Sequence, residues 1–226
     1  VLAGDMIARC QALFDRAESA VSGDPVLLDR VKTARLPIEY VTWHRDLRYA
    51  VRGPRYQPVE EGVARRIRSF FDLAAAHGAG ALRETGVPLA QIRVMAEGYA
   101  LAPIANGRLK AMVAPALGGR LISLVDSRSG LEWIHAGHPE QVDYPFAGGY
   151  EEYSTHRWRS PGWNEDFRVE CRTPEELALA ADLPQGLTLR RIFHLGKGAE
   201  TGTLGITSTL TNTAAERRGI CFRSMP

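Results

Sequence analysis

The chain has 226 residues, 45% of them hydrophobic and 24% charged, which is the balance of a folded globular protein and excludes disordered, collagen-like and coiled-coil readings. Lys and Arg number 28 against 26 Asp and Glu, a net charge of +2, which gives no reason to expect nucleic acid or an anionic membrane as a partner. No run of 18 apolar residues is present, so nothing reads as a membrane-spanning helix. The first part has helical periodicity. Met6, Ile7, Cys10, Leu13, Phe14, Ala17 and Val21 recur at three- and four-residue steps and make one stripe that ends at Gly23. Asp24-Pro25 supplies an N-cap and a proline at the first helical position of a second helix. Pro37 should kink or break that helix near Leu36, with Ile38, Val41, Leu47 and Val51 carrying helix on towards Gly53-Pro54. A third helix is expected from Pro58 to His77-Gly78, burying Val59, Val63, Ile67, Phe70, Phe71 and Ala74.

The pattern changes after Pro88. Residues 1–92 hold 7 of the 22 glycines, and the apolar spacing shifts from helical to alternating. Leu101–Ile104 and Leu109–Val113 flank Asn106-Gly107, a hairpin signal. Arg120–Val125 is a further strand, closed by Asp126 to Gly130, with Glu132–Ile134 returning beside it. Strands are also expected at Phe167–Cys171, Leu177–Ala181, Leu187–Phe193, Leu204–Leu210 and Gly219–Phe222. Short turns between them favour antiparallel pairing. A run of helices followed by a run of strands gives an α+β chain of two domains: a small α-helical bundle over residues 1–92 and an antiparallel β-sandwich over 93–226.

The segment from Ala136 to Glu165 breaks the alternation. Within it, Tyr150, Glu151, Glu152, His156, Trp158, Trp163 and Asn164 combine flat aromatic faces with hydrogen-bonding groups, the mixture a carbohydrate needs for its C–H surface and its hydroxyls. Glycines 148 and 149 just before it permit close backbone approach. Arg120, after Gly118-Gly119, is a possible neighbour whose guanidinium would meet a carboxylate or a ligand. The competing account makes the aromatics core anchors and the carboxylates partners of nearby arginines. Glu151 and Glu152 are adjacent, so on a strand they face opposite ways and do not form an acid–base pair. No catalytic residue is assigned. His135, His138 and His156 have no metal-site spacing, and neither a metal nor a cofactor is expected. The three cysteines, Cys10, Cys171 and Cys221, match no disulfide or zinc pattern and are expected to be small buried residues.

The stretch Asn106 to Asp126, with its hairpin, its Gly118-Gly119 and its third strand, resembles the opening of galactose mutarotase-like β-sandwich domains. Gly148-Gly149-Tyr150-Glu151-Glu152 is similar to a glycine–glycine–aromatic–acid–acid segment of carbohydrate-active relatives of that fold, and Leu210-Thr211-Asn212 to their strand ending in a Thr-Asn turn. Residues 1–92 resemble, more faintly, a helical region of some bacterial glycoside hydrolases. The resemblance implies the N-terminal part of a galactose mutarotase-like sandwich, incomplete as it stands. It also implies a carbohydrate-related accessory portion of a larger glycoside hydrolase whose catalytic barrel lies upstream. The alternatives are a free-standing aldose epimerase or mutarotase-like enzyme, and a structural module without ligand. The mutarotase pair of catalytic histidines and its late glutamate find no match here. The implied partners are a carbohydrate and either the remainder of the same polypeptide or another chain that completes the sandwich. The chain opens on Val1 and reads as a piece of a longer one, so cytoplasm, periplasm and extracellular space all stay open.

Overall fold

The computed structural model describes residues 4–79, 94–134, 149–155, 165–183, 186–198, 200–217 and 219–225. They form an α+β chain of three long helices and antiparallel sheets. The chain divides into two compact units, 1–49 with 57–98 and 50–56 with 99–226.

In the first unit, α1 (Gly4–Ala20) packs on α2 (Pro25–Asp46) and α2 on α3 (Glu61–Ala76). Asp24 caps α2 by accepting from the backbone N–H groups of Val26 and Leu27, with Pro25 in the first turn. Pro37 sits inside this helix, which runs on to Asp46, so of the kink or break expected from sequence the break does not occur. It has no N–H to offer the carbonyl one turn back. Arg35 spans it, however, with Nε 2.6 Å from Glu39 and Nη1 2.7 and 3.0 Å from Asp15 and Glu18 of α1. Burial pulls the Arg35 guanidinium down, but the three carboxylates outweigh it and hold the group above its ordinary range. On the far side of Pro37, Trp43 is almost fully buried, its ring edge-on to Tyr40 at 5.1 Å and to Phe70 of α3 at 5.7 Å. His77, after α3, lies 3.2 Å from Asp29 and 3.0 Å from Thr33.

Helix does not continue to Gly53. Residues Tyr49–Arg52 (β1) and Arg55–Pro58 (β2) form a hairpin instead, with Gly53 at φ +58° in the turn. Tyr49, Val51 and Tyr56 are β-favouring residues around a Gly-Pro punctuation, and that local chemistry overrides a helical spacing of only a few residues. Tyr99–Ala100 (β3) pairs with β2 and completes a small sheet, and α3 starts at Glu61 rather than Pro58.

In the second unit two antiparallel sheets share one apolar core. The first consists of β4 (Ala102–Ala105), β5 (Leu109–Ala114) and β6 (Arg120–Asp126) in sequential order. Asn106 holds the β4–β5 turn: its Oδ1 accepts from the N–H of Arg108 and Leu109, and its Nδ2 donates to the carbonyls of Gly196 and Thr201. The second sheet has the order β11 (Leu204–Asn212), β10 (Leu187–Leu195), β9 (Glu176–Leu183), β8 (Arg168–Arg172). Ile104, Ala111, Val113 and Leu121 from one sheet and Leu177, Leu179, Leu189 and Phe193 from the other belong to the same buried cluster, with Phe167 among them. Residues Glu151–Thr155, expected to be irregular, form β7, which pairs with β12 (Cys221–Met225). Cys171 is exposed and Cys10 half-buried, so these two do not behave as core residues. Val169, beside Cys171 on the charged strand β8, is exposed as well. No helix among the described residues is long and apolar enough to cross a membrane.

Candidate functional site

The site is built where β6 meets the segment that leads into β7. Gly118 and Gly119 take positive φ values of +67° and +59° and turn the chain into β6, which begins at Arg120. A Cβ on Gly119 would stand 3.2 Å from Arg191 Nη1 and 3.2 Å from Phe167 Cγ, so the position is filled by its neighbours. Thirty residues later, Gly149 at φ +80° brings the backbone against β6. A Cβ there would fall 2.3 Å from the carbonyl oxygen of Leu121. That contact allows a pair of backbone hydrogen bonds, Leu121 N to Tyr150 O at 3.0 Å and Tyr150 N to Leu121 O at 2.9 Å. Arg120 and Tyr150, two of the eight residues singled out from sequence, therefore come together: one lies next to the bridged Leu121, the other is its partner in the bridge.

Arg120 is 1% exposed, so its guanidinium lies in the interior rather than on the open surface. Tyr56 of β2, also buried, shares its surroundings. Burial pushes the Tyr56 phenol up to about 12, and the positive charge of Arg120 works against that rise. Glu151 and Glu152 open β7, where their backbones stand opposite Met225 and Ser224 of β12. His156, Trp158, Trp163 and Asn164 lie outside the described residues, as do His135 and His138. His194 pairs in register with Gly205, whose missing side chain leaves room for the imidazole ring.

Tyr150 also lines a pocket of about 380 Å³, together with Leu121, Leu124, Ile134 and the β11 residues Leu204 and Ile206. This is within the size range of small-molecule sites. Trp133, 62% exposed, stands at its side and offers a flat aromatic face. The polar part of the lining is the pair Arg108 and Asp126, with Nε and Nη2 each 2.8 Å from Asp126 Oδ2. Asp126 Oδ1 accepts from the backbone N–H groups of Arg128 and Ser129. The bond from Arg108 first, then that from Arg128, hold the Asp126 carboxyl below its ordinary range. One oxygen of Asp126 thus serves the turn that follows β6, and the other holds Arg108 from the β4–β5 turn.

Sequence reasoning passed over Tyr56, Trp133 and Arg191. Arg191 is fully buried, donates from Nη1 to the carbonyls of both Gly118 and Gly119 at 2.9 Å, and places its guanidinium carbon 5.2 Å from the Phe167 ring centre. A readable signal for it exists: Leu187, Leu189, Arg191, Phe193 and Leu195 share one parity of an alternating strand, and a single charge among four apolar residues marks an inward-facing cation.

No protein-family model matches the chain, and no curated protein matches it. Among solved structures the chain is similar to a galactose mutarotase-like protein from Lactobacillus casei, at 16% identity and a TM-score of 0.41 over 51% of this chain and 45% of that one. It is similar to a TPR-domain containing protein from Parabacteroides distasonis, at 22% identity and a TM-score of 0.40 over 50% of this chain and 21% of that one. A galactose mutarotase related enzyme from Lactobacillus acidophilus shares 15% identity at a TM-score of 0.34, over 43% and 39%. The chain spans less than half the length of each of these proteins. The likenesses are partial, and the architecture above rests on strand pairing and shared core.

Proposed function

We propose that the chain is a carbohydrate-related accessory portion of a larger glycoside hydrolase, with a helical domain over 1–92 and part of a galactose mutarotase-like sandwich over 93–226. The sugar lies against Tyr150 and the segment that runs through Glu151, Glu152, His156, Trp158, Trp163 and Asn164, with Arg120 as the buried cation behind it. The catalytic carboxylates belong to a barrel elsewhere in the same polypeptide. The observation that carries this reading is the bridge between Leu121 and Tyr150, which places Tyr150 on the wall of a pocket flanked by an exposed tryptophan, beside the strand that begins at Arg120. A second reading, a structural module without ligand, draws on the burial of Arg120 and the full occupation of Asp126 by Arg108 and by its own turn.

Calorimetric titration with a panel of monosaccharides and oligosaccharides separates the two. On the carbohydrate reading a sugar binds at millimolar concentration or better, and both Glu152→Gln and Trp133→Ala weaken it while the melting temperature stays nearly constant. If no sugar in the panel binds at those concentrations, the carbohydrate reading fails and the structural one stands.

A further inference from the structure

We draw no further inference here: the strongest candidate, the apolar pocket between β6 and β11 lined by Leu121, Leu124, Leu204 and Ile206, belongs to the site already described, and nothing in the structure shows what covers it.

Discussion

The buried phenol of Tyr56 makes alkaline stability a direct probe of the interior around Arg120. In the unfolded chain a tyrosine loses its proton near pH 10, and in the folded protein burial raises Tyr56 to about 12. Below pH 10 both states hold the proton, so the contribution of the group to stability is fully present. Between pH 10 and 12 the unfolded state gives up its proton while the folded state keeps it, and stability falls. Integrated over the two states, with the folded group half ionised at pH 12, this gives a loss of about 2 kcal/mol by pH 12. Other groups titrate in the same window, so the quantity to measure is the difference between wild type and Tyr56→Phe. Denaturant unfolding followed by tryptophan fluorescence at pH steps from 8 to 12 gives it, with the difference at pH 8 as baseline. The wild type should lose its excess stability over the variant progressively above pH 10. Absorbance titration of tyrosinate should show one of the chain's seven tyrosines ionising late in the wild type and absent in the variant. Because the Arg120 charge lowers the Tyr56 value, Arg120→Met should move that late ionisation still higher. A wild-type-to-variant difference that stays constant from pH 8 to 12 would refute the reasoning, as would a Tyr56 midpoint near 10.

The bridge between β6 and β7 depends on a position that tolerates no side chain. Gly149→Ala puts a Cβ against the Leu121 carbonyl at a positive φ and should cost at least about 2 kcal/mol, whereas Gly62→Ala, with open space around an exposed helical position, should gain up to about 1 kcal/mol; thermal melts of the pair check both signs. Removing the cation that ties α1 to α2 leaves Asp15, Glu18 and Glu39 facing one another. Arg35→Met should therefore cost about 1–2 kcal/mol at neutral pH; denaturant unfolding of both proteins measures it, and an unchanged stability counts against the network.

Strands were legible from sequence where alternation and turn chemistry agreed. Asn106-Gly107 and the turn from Asp126 to Gly130 bracket β5 and β6 in sequence, and the structure shows why they are firm: Asn106 and Asp126 hold their turns with their own side-chain oxygens. Legibility failed where one local rule was allowed to decide. Pro37 was weighed as a helix breaker by its own cost of about 3 kcal/mol. The contacts that outweigh it, Arg35 to Asp15 and Glu18 and Trp43 to Phe70, join residues 17 or more positions apart. The hairpin at Tyr49–Pro58 was lost for the opposite reason. Its β-branched and aromatic residues compete with a helical spacing that continues about two turns past Asp46, where the helix ends.

At the site the limit was different in kind. Tyr150 and its acidic neighbours stood out by composition, and Arg120 by its place after two glycines, but the pairing that brings them together is a consequence of backbone geometry. Gly149 has to be bare because the Leu121 carbonyl occupies the space its Cβ would take, and a sequence records only that a glycine is there. The same holds one layer deeper. Arg191 grips the two carbonyls of the Gly118-Gly119 turn, and Phe167 closes over its guanidinium, so the residue that fixes where Arg120 starts lies on a strand 71 positions away. Its parity on β10 was the one clue in the sequence, and it is a clue to burial rather than to purpose. A side chain this far inside, bonded to the turn that sets the candidate binding residue, links the packing of the core to the geometry of the site. Any ligand held at Arg120 and Tyr150 is thereby held by the interior of the sandwich as much as by its surface.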